Sequence, residues 1–117
     1  MYDKNNVFYK ILHGVIPCKK VFENDVALAF YDLNPVCKVH VLVICKKECR
    51  NLEEFVKETS ADEIKLYFKT VTSIAEKTLN LKKSGYRVLT NTGDDAGQEI
   101  QHFHMHILGG ESLKSVL

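Results

Sequence analysis

The chain has 117 residues, 16 Lys and Arg against 15 Asp and Glu for a formal net charge of +1, 45% hydrophobic residues and 26% charged ones. That length supports one hydrophobic core, so a single domain over 1–117 is expected, and the composition excludes a disordered, charge-rich chain. Scattered basic residues argue against nucleic acid as a partner, an apolar run that stops at Val39–Cys45 argues against a bilayer span, and the missing signal-peptide core makes a cytoplasmic location the expectation.

In chain order, Val7, Phe8, Ile11 and Leu12 recur at helical spacing and Gly14 with Pro17 ends the pattern, which predicts a short N-terminal helix. His13 near its end reads as a surface histidine interacting with the helix dipole. Lys20 to Glu23 and Val26 to Tyr31 are β-prone and joined by Asn24-Asp25, a pair that tolerates the positive φ of tight hairpin turns. Asp32-Leu-Asn-Pro35 breaks the chain, and a third strand follows from Val39 to Ile44. Between Cys45 and Thr59, Leu52, Phe55 and Val56 allow a short helix.

Ser60-Ala-Asp-Glu63 fits a capping box, in which serine and glutamate each satisfy a free backbone donor. The long helix behind it carries Ile64, Phe68, Val71, Ala75 and Leu79 on one face, with Tyr67 and Ile74 beside them, over about five turns. Tyr86 to Asn91 and Gln101 to Leu108 are strand-like and flank a Gly- and Asp-rich loop. The connections without helices are too short for parallel crossovers, so the fold class expected is an antiparallel α+β sheet.

The four cysteines read as reduced thiols without an export signal. Cys45-Lys-Lys-Glu-Cys49 has a spacing that zinc sites sometimes use, but Cys18 and Cys37 stand alone, and small, partly buried hydrophobes are the expectation. No structural zinc and no required cofactor are expected.

Three of the five histidines stand at His102-Phe-His104-Met-His106, and alternate side chains of a strand share a face, so all three imidazoles should line one surface. Zinc chelation by such a row is an alternative. The preceding loop, Asn91-Thr-Gly-Asp-Asp-Ala-Gly97-Gln98-Glu99, favours nucleophilic catalysis on an anion, because glycines let backbone N–H groups approach phosphate oxygens. Asp94 and Asp95 are expected to point outward in turn positions.

These residues resemble the histidine triad family, in the branch of small histidine triad nucleotide-binding proteins. The resemblance covers nearly the whole chain: Phe8-Tyr-Lys-Ile11, Ile16-Pro17, Ala29-Phe-Tyr-Asp32 with Pro35, His40-Val-Leu-Val-Ile44, Tyr86-Arg-Val with Asn91, Gly97-Gln98 and the triad followed by Gly109-Gly110. It implies a five-stranded antiparallel sheet with a short N-terminal helix and one long helix, paired into a homodimer. It implies an AMP- or GMP-type ligand and hydrolysis at its α-phosphorus, as in a nucleoside phosphoramidase, through a nucleotidyl-histidine on His104. His106 would contact the phosphate or leaving group, and His102 with His40 would orient the nucleophile. Asp32 would hold the ribose, Leu33 would pack on the base, and Asn91 with the backbone of Gly97, Gln98 and Glu99 would bind phosphate. No metal ligand is implied. Packing histidines together should depress each pKa, because adjoining cations repel. A non-catalytic nucleotide-binding or scaffold module is the competing reading.

Overall fold

The computed structural model describes residues 1–114. Its elements are α1 (Val7–Leu12), β1 (Lys20–Glu23), β2 (Ala27–Tyr31), β3 (Val39–Cys45), α2 (Leu52–Glu58), α3 (Ala61–Ser73), β4 (Tyr86–Leu89) and β5 (His104–Gly109), with a π-helical turn at Ile74–Thr78 and a 3-10 turn at Asp94–Ala96. All five strands join one sheet in the order β1-β2-β3-β5-β4, each neighbouring pair antiparallel. The α+β class and the five-stranded antiparallel sheet are those expected from the sequence. Among the described residues no helix is long and apolar enough to cross a membrane.

Local chemistry explains where the elements begin and end. Asn6 starts α1 by accepting the Tyr9 N–H at 2.9 Å. His13 ends it: its backbone N–H and its ring Nδ1–H both donate to the Tyr9 carbonyl, and the imidazole stacks on Tyr9 with centroids 4.0 Å apart. Open carbonyls at the helix end are thereby satisfied.

The β1–β2 hairpin is held differently from the expected tight turn. Neither Asn24 nor Asp25 takes a positive φ; among described non-glycine residues only Asn80 does, at 57°. Instead the Asn24 side-chain oxygen accepts from the N–H groups of Val26 and Ala27, both at 3.0 Å, and its amide donates to Thr70 Oγ1 at 3.0 Å. A side chain that bonds the backbone just ahead reproduces a turn without left-handed residues, and here it also ties the hairpin to α3.

Only half of the capping box forms. Ser60 Oγ accepts the Glu63 N–H at 3.2 Å, but the Glu63 carboxylate accepts from the serine hydroxyl at 3.1 Å and pairs with Lys47 at 3.3 Å. The buried stripe of α3 is also rotated relative to the periodicity. Tyr67, Val71, Ile74 and Ala75 are at most 2% exposed, whereas Phe68 remains 39% and Leu66 43% exposed. Two causes are visible. The Tyr67 hydroxyl donates to the Val43 carbonyl at 2.7 Å, drawing that ring inward, and the helix widens at its end, where the Leu79 N–H reaches back five residues to the Ile74 carbonyl at 2.8 Å. A π-turn of this kind shifts the helical phase.

The sheet separates two apolar layers. Val41, Val43, Cys45 and Ile107 face α3 together with Phe55 and Phe103. Leu28, Phe30, Leu42 and Ile44 face α1 and are covered by Phe8. Past β5 the chain turns at Gly110, whose φ is +82° and where a Cβ would come within 2.8 Å of Val39 Cγ2. Only glycine accommodates that conformation and that approach together. Glu111 then accepts the Lys38 N–H at 2.7 Å, clamping the start of β3 just before His40.

Candidate active site

The β3–β5 register sets His104 opposite Ile44, His106 opposite Leu42 and His40 opposite Leu108. Alternation therefore brings all three rings to the α1 side of the sheet. They line a cleft of about 300 Å³ with Asp32, Asn91, Gly97, Gln98 and Glu99. Phe8, Asn34, Val36, Leu42 and Ile100 complete the wall; the sequence assigns Phe8 to the N-terminal helix and Leu42 to the third strand, and gives none of the five a role in the site.

His102 departs from the expected row. Regular strand begins only at His104, and His102 is 0% exposed, outside the residues that line the cleft. Its ring lies under Phe8 and Tyr2, at centroid distances of 6.2 and 5.6 Å. What His102 offers the cleft is its backbone carbonyl, which accepts from His104 Nδ1 at 2.7 Å.

Hydrogen bonding assigns every tautomer. A carbonyl only accepts, so His104 Nδ1 carries the proton and Nε2 keeps a free lone pair. The Val36 N–H donates to His40 Nδ1 at 3.2 Å, which places the His40 proton on Nε2. That proton is donated to His106 Nδ1 at 2.9 Å, with Asp32 Oδ2 3.4 Å away. His106 in turn holds its own proton on Nε2. One ring thus carries a lone pair and its neighbour a donor. His40 bonds to His106 and not to His104.

All four rings titrate below the usual histidine range, and burial is the main cause in each. His102 and His106 are lowered to about 4. His104 and His40 are lowered by burial against a smaller upward pull from Asp32, which His104 shares with its bond to the His102 carbonyl. Repulsion between imidazoles, the expected cause, comes second at His106 and last at His102. Desolvation by Phe8, whose ring meets His104 edge-on at 4.9 Å, keeps that imidazole neutral. At His102 and His106, a folded-state pKa near 4 against 6.5 for a free histidine means that the unfolded chain takes up protons first as pH falls. Stability is therefore expected to be unaffected by these rings above pH 6.5 and to fall between 6.5 and about 4, by up to about 1.4 kcal/mol per pH unit for each ring. Urea titrations across that range check the slope.

The Gly- and Asp-rich loop before β5 is braced from within. Gln98, 8% exposed, accepts the Gly93 N–H at 3.0 Å and donates to the carbonyls of Arg50 and Ile100 at 2.7 and 3.0 Å. The N–H groups of Gly97 and Gln98 bond to Asp94 and Gly93 carbonyls inside the loop, so neither is free to donate in this conformation. Asp94 and Asp95 are exposed, as expected. Asp32 accepts the Asn34 N–H at 2.8 Å through Oδ1, retaining lone pairs on both oxygens.

Leu33 is 91% exposed and lies at an adjoining apolar pocket of about 260 Å³ formed with Ile11, Ile16, Phe30 and Leu42. This pocket shares Phe8, Asp32 and Ile100 with the cleft. An apolar recess, a carboxylate and an imidazole therefore follow one another along one channel.

The HIT domain model matches residues 13–113. The chain belongs to the HIT family. An uncharacterised HIT-like protein of Rickettsia prowazekii is 43% identical over 113 residues, which is 97% of this chain and 93% of that protein. The solved structure of a HIT family hydrolase from Clostridium thermocellum is similar with a TM-score of 0.84 and 35% identity, covering 98% of this chain and 99% of that one. A hypothetical histidine triad nucleotide-binding protein from Sulfolobus tokodaii is similar with a TM-score of 0.73 and 33% identity, covering 85% and 64%.

Among the described residues of this HIT protein, one set of donors lies within metal reach: Asp32, His40 and His106, all within 4.8 Å of one another. It is not the triad row weighed from the sequence, and it includes neither Cys45 nor Cys49. The His40 to His106 separation of 2.9 Å suits a shared proton better than a shared zinc, whose tetrahedral ligands stand about 3.4 Å apart.

Proposed function

We propose that this HIT protein is a nucleoside phosphoramidase that hydrolyses a bond at the α-phosphorus of purine nucleoside 5'-monophosphate derivatives. The observation that carries the reading is the unprotonated Nε2 of His104 in the cleft, its partner nitrogen tied to the His102 carbonyl. In this reading the base enters the apolar pocket beside Leu33, the ribose hydroxyls bond Asp32, and the phosphate meets the Asn91 amide and the Glu99 backbone. The N–H groups of Gly97 and Gln98 would join only if the loop rearranged.

His104 Nε2 attacks phosphorus, the bond to the leaving amine breaks, and His106 Nε2–H protonates that amine. The His40 proton on His106 Nδ1 and the Asp32 carboxylate beside it support the transfer. Water then attacks phosphorus and gives its proton to His106, restoring Nε2–H, while the phosphorus–Nε2 bond breaks to return neutral His104 and the nucleoside monophosphate. The hydrolase from Clostridium thermocellum and the nucleotide-binding protein from Sulfolobus tokodaii support the reaction class and the ligand class. No step requires a metal or cofactor.

The test is rapid acid quench of the protein with an adenosine 5'-phosphoramidate. A transient adenylyl adduct on the protein, formed and lost at the rate of turnover, is the expected result; AMP binding with neither adduct nor turnover would leave a binding or scaffold module instead. We further propose a homodimer that covers Leu66 and Phe68, the large apolar residues left exposed on α3. Sedimentation equilibrium at the mass of a single chain would refute it.

A further inference from the structure

Behind the nucleophile lies a set of groups that the mechanism leaves unused. The Tyr2 hydroxyl, delivered by the segment before α1, donates to His102 Nδ1. The opposite ring proton, on Nε2, goes to the Cys45 carbonyl at 2.7 Å. The next residue is pinned as well, since the Phe103 N–H donates to the Cys49 carbonyl at 2.8 Å. The peptide joining His102 to Phe103 is thus fixed by three bonds, and its carbonyl is the acceptor that sets the His104 tautomer.

We propose that Tyr2 is a positioning residue for His104: by donating to His102 Nδ1 it locks that ring as the neutral Nε2–H form and keeps the His102 carbonyl aimed at the nucleophile. The inference rests on the phosphoramidase reading. Tyr2 touches neither the cleft nor any reacting atom; it lines a separate depression with Arg50 and Glu54.

The titratable groups facing His102 are the Tyr2 phenol, the Cys45 thiol with Sγ 3.6 Å from Nε2, and the His104 ring. Burial raises the phenol, and a bond with Cys49 followed by burial raises the Cys45 thiol, so both stay neutral. A hydrogen-bond donor at Nδ1 favours the neutral imidazole. Without it the lone pair is buried and unsatisfied, and protonation at Nδ1 becomes easier. A cation there would oppose the positive charge that His104 acquires when its Nε2 bonds to phosphorus while Nδ1 keeps its proton.

Tyr2→Phe removes the hydroxyl and keeps the ring. The expected result is a fall in kcat of about 10-fold with unchanged AMP affinity, and an acid limb of kcat displaced to higher pH. The same substitution placed on His102→Gln should have no further effect, because the lock is already gone. Nitrogen NMR without substrate provides a second readout: the His102 Nδ1 resonance should shift and the His104 Nδ1–H signal should broaden. A folded Tyr2→Phe protein with unchanged kcat, acid limb and resonances, or with an undiminished effect on His102→Gln, would overturn the proposal. If the wild type fails to turn over phosphoramidates, the functional reading falls, and the two nitrogen signals alone decide whether Tyr2 holds His102 and His104.

Discussion

Replacing His104 with Ala is expected to lower turnover of an adenosine 5'-phosphoramidate by about 10⁴-fold or more while leaving AMP affinity within about threefold, because the substitution removes the attacking atom and leaves the other ligand contacts standing. The asymmetry is what makes the experiment informative. The ring is 7% exposed and its Nδ1 is bonded to the His102 carbonyl, so it contributes little surface to ground-state binding. Single-turnover kinetics with isothermal titration separate the two quantities. Turnover within about tenfold of wild type would remove His104 from the chemistry, whereas weakening of AMP binding in proportion to turnover would mean that the ring acts as a ligand contact.

Phe103→Ala is expected to cost about 3–5 kcal/mol of folding stability. Phe103 is 1% exposed, stacks on Phe55 with centroids 4.5 Å apart and lies 5.3 Å from Tyr67. It is the point where α2, α3 and the start of β5 meet, and the cavity left by its ring could close only by moving helices. The loss should also reach the active site, because the same residue carries the N–H that fixes the peptide behind His104. Chemical denaturation measures the first effect. A cost below about 1 kcal/mol would mean that the three-ring stack is not a keystone of this core.

The sequence revealed the parts of this molecule that depend on periodicity. Strand alternation placed His104 and His106 on one face, and the spacing of Ile64, Phe68, Val71, Ala75 and Leu79 identified a long amphipathic helix that has to pack on something. It was less informative where a single hydrogen bond overrides a pattern. The Tyr67 hydroxyl on the Val43 carbonyl draws the buried stripe away from Phe68, the π-turn at Ile74–Thr78 shifts its phase beyond that point, and neither leaves a periodic trace. The hairpin at Asn24 is set by a side chain acting as a turn, which a dipeptide rule written for backbone angles does not distinguish. In the candidate site, residue types were legible and their connections were not. His40 could be assigned to the cluster, but its pairing with His106 depends on the β3–β5 register. His102, outside the cleft, bonds instead to Tyr2, a residue 100 positions away in sequence.

The unprotonated Nε2 of His104 is aimed by a main-chain carbonyl two residues earlier, and His40 is oriented by a main-chain N–H. Oxygen and nitrogen of the peptide group are the same whatever side chain they carry. Lineages can therefore exchange most of the surrounding residues without disturbing the direction in which the imidazole reacts, provided the bend before β5 survives. Divergence should accumulate freely around the pocket and sparingly in the path of the chain, so backbone geometry would be inherited more faithfully than the amino acids that line it.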